Sequence, residues 1–280
     1  MNLDVIKQRL ETLNSQSQKK SGGGDKKNLF FKPSIGKQVI RVVPSKFYKD
    51  NPFTEMKFYY GIGPKMTMAS PLNWGDKDPI SEFVKQLRQS NDSESWRLAK
   101  KLDPKNRVFI PIIVRGEESE GVKLWQFGKL VHEAFLQMAS DEEIGDFTDI
   151  LEGRDIKLNT VGPESTGTKY NKTSIGPSLK VTPLSDDKAI VDNLLEDQID
   201  PMKLFKPLPF DEMKAALQSF LTPDGEEEGE IISEVPEKFD DEPVKSNYSL
   251  NAKDLKSKTE KFDDMFSDEG AGEEVDDLPF

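Results

Sequence analysis

Apolar residues follow two spacings along this chain. In MNLDVIKQRLETLN, Leu3, Ile6, Leu10 and Leu13 recur at steps of three and four, which predicts one face of a short helix over 3–13. The next stretch, SQSQKKSGGGDKK, is Gln, Ser, Lys and Gly, the composition of a flexible linker. The spacing then changes to the alternation and β-branched runs of strands: KQVIRVVPSK (37–46), TEMKFYYGIG (54–63), NRVFIPIIVRG (106–116), GVKLWQFGK (121–129), RDIKLNTVG (154–162) and SLKVTP (178–183). Polar turns join 106–116 to 121–129, and 154–162 to 178–183, as two hairpins. Pro111 calls for a bulge or an edge inside its strand. Helical spacing returns at 79–90, 130–139, 187–196 and 211–221.

About five short strands with an intervening helix predict a mainly β fold with helices. Its core is an OB-fold-type barrel spanning 26–221, with a partly helical insertion at 64–105. Residues 1–25 form an N-terminal arm. After Pro223 the pattern stops: residues 222–280 read as an acidic disordered tail. Within that tail EKFDD occurs twice, at 237–241 and 260–264, each copy setting one phenylalanine, Phe239 or Phe262, among acids. Isolated rings in acidic surroundings build no core, so the copies read as docking motifs.

Composition changes this picture through its distribution. The net charge is −12, but residues 221–280 hold 20 acids and 6 bases, whereas residues 26–185 hold 25 bases and 20 acids. A mildly basic body thus carries an acidic tail, which permits a polyanionic ligand that the overall charge would argue against. There is no cysteine and a single histidine, so neither a disulfide framework nor a thiolate metal site is available. No apolar run reaches bilayer length and no signal-peptide stretch opens the chain, which leads to the expectation of a soluble, cytoplasmic protein. Catalytic machinery is missing from the pattern. There is no Walker loop, nucleophile elbow or HExxH; His132 lies in an amphipathic helical stretch, and the carboxylates of GDKD (75–78) belong to a Gly-containing loop. The expectation is a protein that is not an enzyme.

Basic and aromatic residues interleave instead. Arg41 and Lys46 flank a strand end, and Tyr59 and Tyr60 end the next strand. Trp74, Trp96, Lys100, Lys101, Lys105 and Arg107 lie in or beside the insertion. Phe109, Trp125 and Lys129 belong to the central hairpin, and Lys169, Tyr170 and Lys172 to the loop STGTKYNK. Single-stranded nucleic acid asks for this mixture, cations for phosphates and flat rings for unstacked bases. For Phe109 and Trp125 a core position is the competing reading. For Tyr170 the polar loop offers nothing to bury it.

The segments KQVIRVVPSK, YYGIG, IPIIV and EGVKLWQFGK, followed by the acidic tail, resemble in this order the T-even phage single-stranded DNA-binding (helix-destabilising) protein family over most of residues 1–221. That resemblance implies an arm for cooperative self-association, an OB-fold core that grips single-stranded DNA, and a tail that recruits replication, recombination and repair proteins. It places Arg41 in the groove, Trp96 and Phe109 as stacking rings either side of Lys100 and Lys101, Trp125 and Tyr170 as further rings, and Trp74 approximately so. The arm implicates Leu3, Ile6, Lys7, Arg9, Leu10, Leu13, Lys19 and Lys20, although the family's compact basic arm motif is not matched. The family's best-known member holds zinc through one histidine and three cysteines. Here its Cys-Pro-x-Cys run reads Asp78-Pro79-Ile80-Ser81 and a tyrosine stands near the histidine position, so no cofactor is expected and the insertion must be held by packing, with Leu72, Trp74, Ile80, Phe83, Val84 and Leu87 as candidates. The end of the sequence, EEVDDLPF, is similar to the tips of bacterial single-stranded DNA-binding proteins, which makes Asp276, Asp277, Leu278, Pro279 and Phe280, with Phe239 and Phe262, the partner-binding candidates. The reading is a sequence-independent single-stranded DNA-binding protein. A single-stranded RNA-binding or RNA-chaperone protein, and an acidic adaptor or DNA mimic, are the alternatives.

Overall fold

The structure, a computed structural model, describes residues 29–49, 51–62, 65–90 and 92–221, together with Thr259, Phe262 and Phe266. The expected arm helix, its linker, Phe239 and Asp276 to Phe280 lie outside the described residues.

Eight strands make one sheet: β1 (Phe30–Phe31), β2 (Gly36–Val42), β3 (Thr54–Ile62), β4 (Lys65–Ala69), β5 (Lys105–Val114), β6 (Lys123–Phe127), β7 (Arg154–Val161) and β8 (Lys172–Val181). The order is β1-β6-β5-β2-β7-β8, with β3 paired to β5 and β4 to β3. β1 runs parallel to β6, and the other pairs are antiparallel. Both expected hairpins form, as β5–β6 and β7–β8. The mainly β fold with helices is the one the pattern predicts, and its sheet is open. The reason lies in β5, which divides one edge between two partners: Lys105 to Phe109 pair with β3, and Ile112 to Val114 with β2. The sheet forks there.

Pro111 sits at the fork. Its carbonyl accepts from the Val43 N–H at 3.0 Å, on the β2 side. The N and C=O of one strand residue point to the same edge, so its missing N–H falls where β3 has ended and β2 takes over. This is how a proline is accommodated inside a central strand.

β2 and β5 are buried on both faces. Ile40, Val42, Ile110 and Ile112 face a core shared with Trp125, Phe127, Phe135 and Phe147, Phe135 coming from α3 (Lys129–Ala139). On the other face Val43 and Ile113 meet Leu184, Val191 and Leu194 of the segment leading into α5 (Lys188–Glu196) and of α5 itself.

The insertion between β3 and β5 holds β4, a 3-10 turn at Pro71–Trp74, α1 (Pro79–Gln89) and α2 (Ser93–Leu102). Asp78 caps α1 through the Ile80 and Ser81 N–H groups, and Pro79 starts the helix, where its missing N–H costs nothing. Asp92 caps α2 in the same way. The four α1 residues Ile80, Phe83, Val84 and Leu87 are buried as expected; Leu72 is 42% exposed and plays no such part. With Leu98 and Leu102 they form a second core, closed by Met213, Leu217 and Leu221 of α7 (Phe210–Leu221). Two short helices, α4 (Pro163–Thr166) and α6 (Pro201–Leu204), complete the described body, and among the described residues no helix is long and apolar enough to cross a membrane.

Candidate nucleic-acid interface

β3 and the first half of β5 build an aromatic face. Register sets Met56 opposite Arg107, Thr54 opposite Phe109 and Phe58 opposite Lys105, so alternation places Phe58, Tyr60, Arg107 and Phe109 on one side. Phe205, which follows α6, closes over them, its ring 4.9 Å from Phe58 and 5.5 Å from Phe109. Phe58 and Phe109 are fully buried and form the floor. Phe30, Tyr60, Trp74 and Phe205 are half-buried around it and form a rim of rings that solvent reaches.

Arg107 anchors that rim. Its guanidinium carbon lies 5.2 Å from the Tyr60 ring centre, and its Nε donates to the Tyr60 hydroxyl at 3.1 Å. It is only 6% exposed, so it orients Tyr60 as well as supplying positive charge. Lys105, Lys203 and Lys206 are exposed on the strand and segment that carry these rings. A half-open aromatic surface bordered by cations suits unstacked bases and phosphates.

Several expected site residues stand elsewhere. Arg41 is fully buried, opposite Ile113 on the second face of β2. Its Nη2 donates to the carbonyls of Asp149 (2.7 Å) and Thr182 (2.9 Å), and its Nη1 to the Thr182 hydroxyl (3.3 Å), with Asp155 at 3.5 Å. Burial pulls its pKa below the ordinary arginine value, opposed by Asp155. Gly153 makes the room: a Cβ there would lie 2.3 Å from Nη2. Arg41 therefore pins the turn around Asp149 to the sheet and is withdrawn from the DNA-contacting set.

Tyr59, 1% exposed, points into the insertion core, one residue out of phase with Tyr60. Trp125, 1% exposed, is packed among Phe31, Phe127 and Phe135. Phe109 is floor, not a free face. Strand alternation puts all three rings inward, and apolar burial outweighs a stacking role at those positions. Lys46 is ion-paired with Glu196 at 2.6 Å, and Lys129 with Glu133 at 3.4 Å.

The remaining candidates lie on separate elements. Trp96 on α2 is 56% exposed, with Arg88 5.9 Å from its ring centre. Lys100 and Lys101 occupy the last turn of α2, where cations also complement the helix dipole. Lys101 reaches over the Phe220 ring at 5.0 Å, and partial desolvation lowers its pKa. Lys169 lies in the β7–β8 connection and Lys172 opens β8, and both are exposed; Tyr170 between them is half-buried, more than its polar loop implied.

Sequence reasoning passed over Phe30, Phe205, Phe47 and Tyr48. The last two are 36% and 39% exposed after β2. All four sit between lysines, in KNLFFK, KLFK and KFYK. That is the interleaving that singled out the other candidates, and applied evenly it finds them.

A cleft of about 420 Å³ beside α1 is lined by Lys57, Lys77, Lys85 and Arg88, but also by Asp76, Glu82 and Asp103. Its mixed sign, with Arg88 paired to Asp103, gives phosphates no consistent attraction.

The zinc implied by the family resemblance does not fit what stands here. The Asp78 carboxylate accepts from the Tyr59 hydroxyl (2.8 Å), the Ser70 hydroxyl and the Ile80 and Ser81 N–H groups, and the Ser81 hydroxyl meets Tyr59 at 2.8 Å. One carboxylate and three hydroxyls, already satisfied by one another, are not the thiolate and imidazole set of a structural zinc site. Among the described residues no group of three or more His, Asp or Glu side chains is gathered as metal ligands.

A forked sheet presenting a rim of rings and cations has the chemistry that a nucleic-acid-binding module requires. Residues 34–222 match the family described as gp32 DNA binding protein like, and the chain belongs to that DNA-binding family. No curated protein matches the chain.

Proposed function

We propose that this protein binds single-stranded DNA without regard to sequence, coats and protects it, and acts through binding alone and not as an enzyme. The supporting observation is the half-buried rim of Phe30, Tyr60, Trp74 and Phe205 over a buried aromatic floor, braced by Arg107, all but Phe30 inside the family-matched region. Bases stack on the rim, and Lys100, Lys101, Lys105, Lys203 and Lys206, with Lys169 and Lys172, track the phosphates. Trp96, Tyr170, Phe47 and Tyr48 extend the ring surface. Because such a ligand takes only open strands, it shifts duplexes towards them by mass action.

The arm residues, from Leu3 to Lys20, bring neighbouring copies together along the strand. The acidic tail recruits replication, recombination and repair proteins, with Phe280 as the handle. Its ring fills a small apolar pocket, and Asp276 and Asp277 steer it to a basic rim. No metal takes part, and the host-cell cytoplasm is the place of action.

Titrating oligo-dT against intrinsic tryptophan fluorescence at several salt concentrations tests this. Tight binding that weakens as salt rises is expected. Equal affinity for duplex DNA, or none for oligo-dT, overturns it. Competition between matched DNA and RNA oligomers separates the RNA-binding reading, since rings and cations alone do not read the 2′-hydroxyl.

A further inference from the structure

The two EKFDD copies are not equivalent. Four residues after Phe239 stands Pro243, whereas four after Phe262 stands Phe266. Only the second copy can present two rings on one helical face, because residues i and i+4 are neighbours on a helix and a proline interrupts it. Thr259, Phe262 and Phe266 are helical, and both rings are buried, at 1% and 7% exposure.

They are buried in the seam between α1 and α7. The Phe262 ring meets Phe83 of α1 edge-on at 5.8 Å and Phe266 at 4.8 Å; Phe266 meets Phe210 of α7 at 6.0 Å. Lys214 of α7 reaches over the Phe266 ring at 4.6 Å and donates to its carbonyl at 3.3 Å. Rings from three segments, cross-packed in edge-on and tilted geometry with a cation over one and a bond to the carbonyl, make a built site.

We propose that the α1–α7 seam is a binding groove for two phenylalanines spaced four apart in an acidic segment, and that Phe262 and Phe266 of the same chain are its ligand. The segment fastens the acidic tail to the body. Phe262 is thereby taken out of the set of partner handles, and Phe239 is left in it. The docking also shortens the reach of anything beyond it. Phe280 lies 14 residues past Phe266 but 59 past Leu221. A chain spans at most about 3.5 Å per residue, so the tether shrinks from roughly 200 Å to roughly 50 Å. On the reading of Phe280 as a handle, a captured partner is held close to the body.

Hydrogen exchange on the intact chain tests the docking independently of DNA binding. In Phe262→Ala/Phe266→Ala, amides of α1 and α7 should exchange about tenfold faster or more, while β2, β5 and β7 keep their protection. Phe239→Ala should change nothing. Wild-type rates in α1 and α7 of the double variant overturn the proposal. If the double variant loses protection in the sheet as well, Lys214→Ala, which keeps both rings, carries the test. Faster exchange confined to 259–266 and α7 is expected, and no change there overturns the proposal. Protection that disappears on hundredfold dilution would give the groove to a second copy's segment and overturn docking within one chain.

Discussion

At the scale of single residues, polar groups buried in this protein hold structure. Asp78 satisfies Tyr59, Ser70 and the first turn of α1 at once. Asp78→Ala takes the shared acceptor from two buried hydroxyls and removes a cap, and should lower stability by about 2 kcal/mol or more in urea unfolding. Tyr59→Phe, which loses the bonds to Asp78 and Ser81, should cost about 1–3 kcal/mol. Chelators should leave the melting temperature of the wild type unchanged. Burial and the adjacent Asp78 carboxylate raise the Tyr59 pKa. That contribution is fully present below the ordinary phenol value of about 10 and is lost as pH rises through the raised folded value, so stability should decline on the alkaline side. Spectrophotometric titration should show Tyr59 ionising later than an ordinary phenol, a signal that Tyr59→Phe removes. Arg41→Ala should destabilise by about 3 kcal/mol, because it leaves buried acceptors unpaired. Among molecules still folded, it should leave the salt dependence of DNA binding as it was. A flattened salt slope would return Arg41 to the interface.

At the scale of elements, the proposed function divides the binding task between β3, β5 and α2. Tyr60→Ala, Trp74→Ala and Phe205→Ala should each weaken oligo-dT binding by about 1–3 kcal/mol with little change in salt slope, since stacking is not ionic. Replacing Lys100 and Lys101 together by alanine should flatten the log–log salt slope by about 0.7 for each phosphate no longer neutralised. Equal slopes in variant and wild type would assign those lysines to the α2 dipole and Phe220 alone. Urea unfolding of each variant separates weaker stacking from a damaged fold, which matters most for Phe205 because it also covers Phe58 and Phe109.

At the scale of the whole molecule, a body that is mildly basic over 26–185 carries an acidic tail on the same chain, and the proposed function has tail and DNA compete for the same cations. Truncation after Leu221 should raise DNA affinity, most at low salt where screening is weak. The same cut also removes Phe262 and Phe266 from the second core, and so tests two things together. Deleting 267–280 removes six acids and spares the docked rings. It should raise low-salt affinity in proportion to the charge removed, with urea stability unchanged. An affinity that does not move at low salt would show that this part of the tail does not compete. Deleting Phe280 alone keeps the acids, so single-strand binding should hold while capture of replication proteins falls. Unchanged capture would pass the handle role to Phe239.

By itself the sequence determined the family and most of the longer elements, but it read the ten-residue α2 only as part of a partly helical insertion. Strand alternation and helical spacing located β2, β3, β5, β6 and β7 and helices α1, α3, α5 and α7 to within a few residues, because apolar periodicity is a local property. The short β1 and β4, with two and five residues, carry too little pattern to register, and β8 starts at Lys172, ahead of the expected 178, because its half-exposed side chains alternate weakly. Tertiary structure alone decided which face each ring takes. Tyr59 and Tyr60 are adjacent in sequence, yet the pleat sends one into the insertion core and the other to the rim. Arg41 looks like a groove cation until Gly153 and the Asp149 carbonyl enclose it. Phe262 looks like a free motif until Phe83 and α7 supply the surface that buries it. In each case the deciding partner lies far away in sequence, and what a side chain does depends on whether that partner removes it from water.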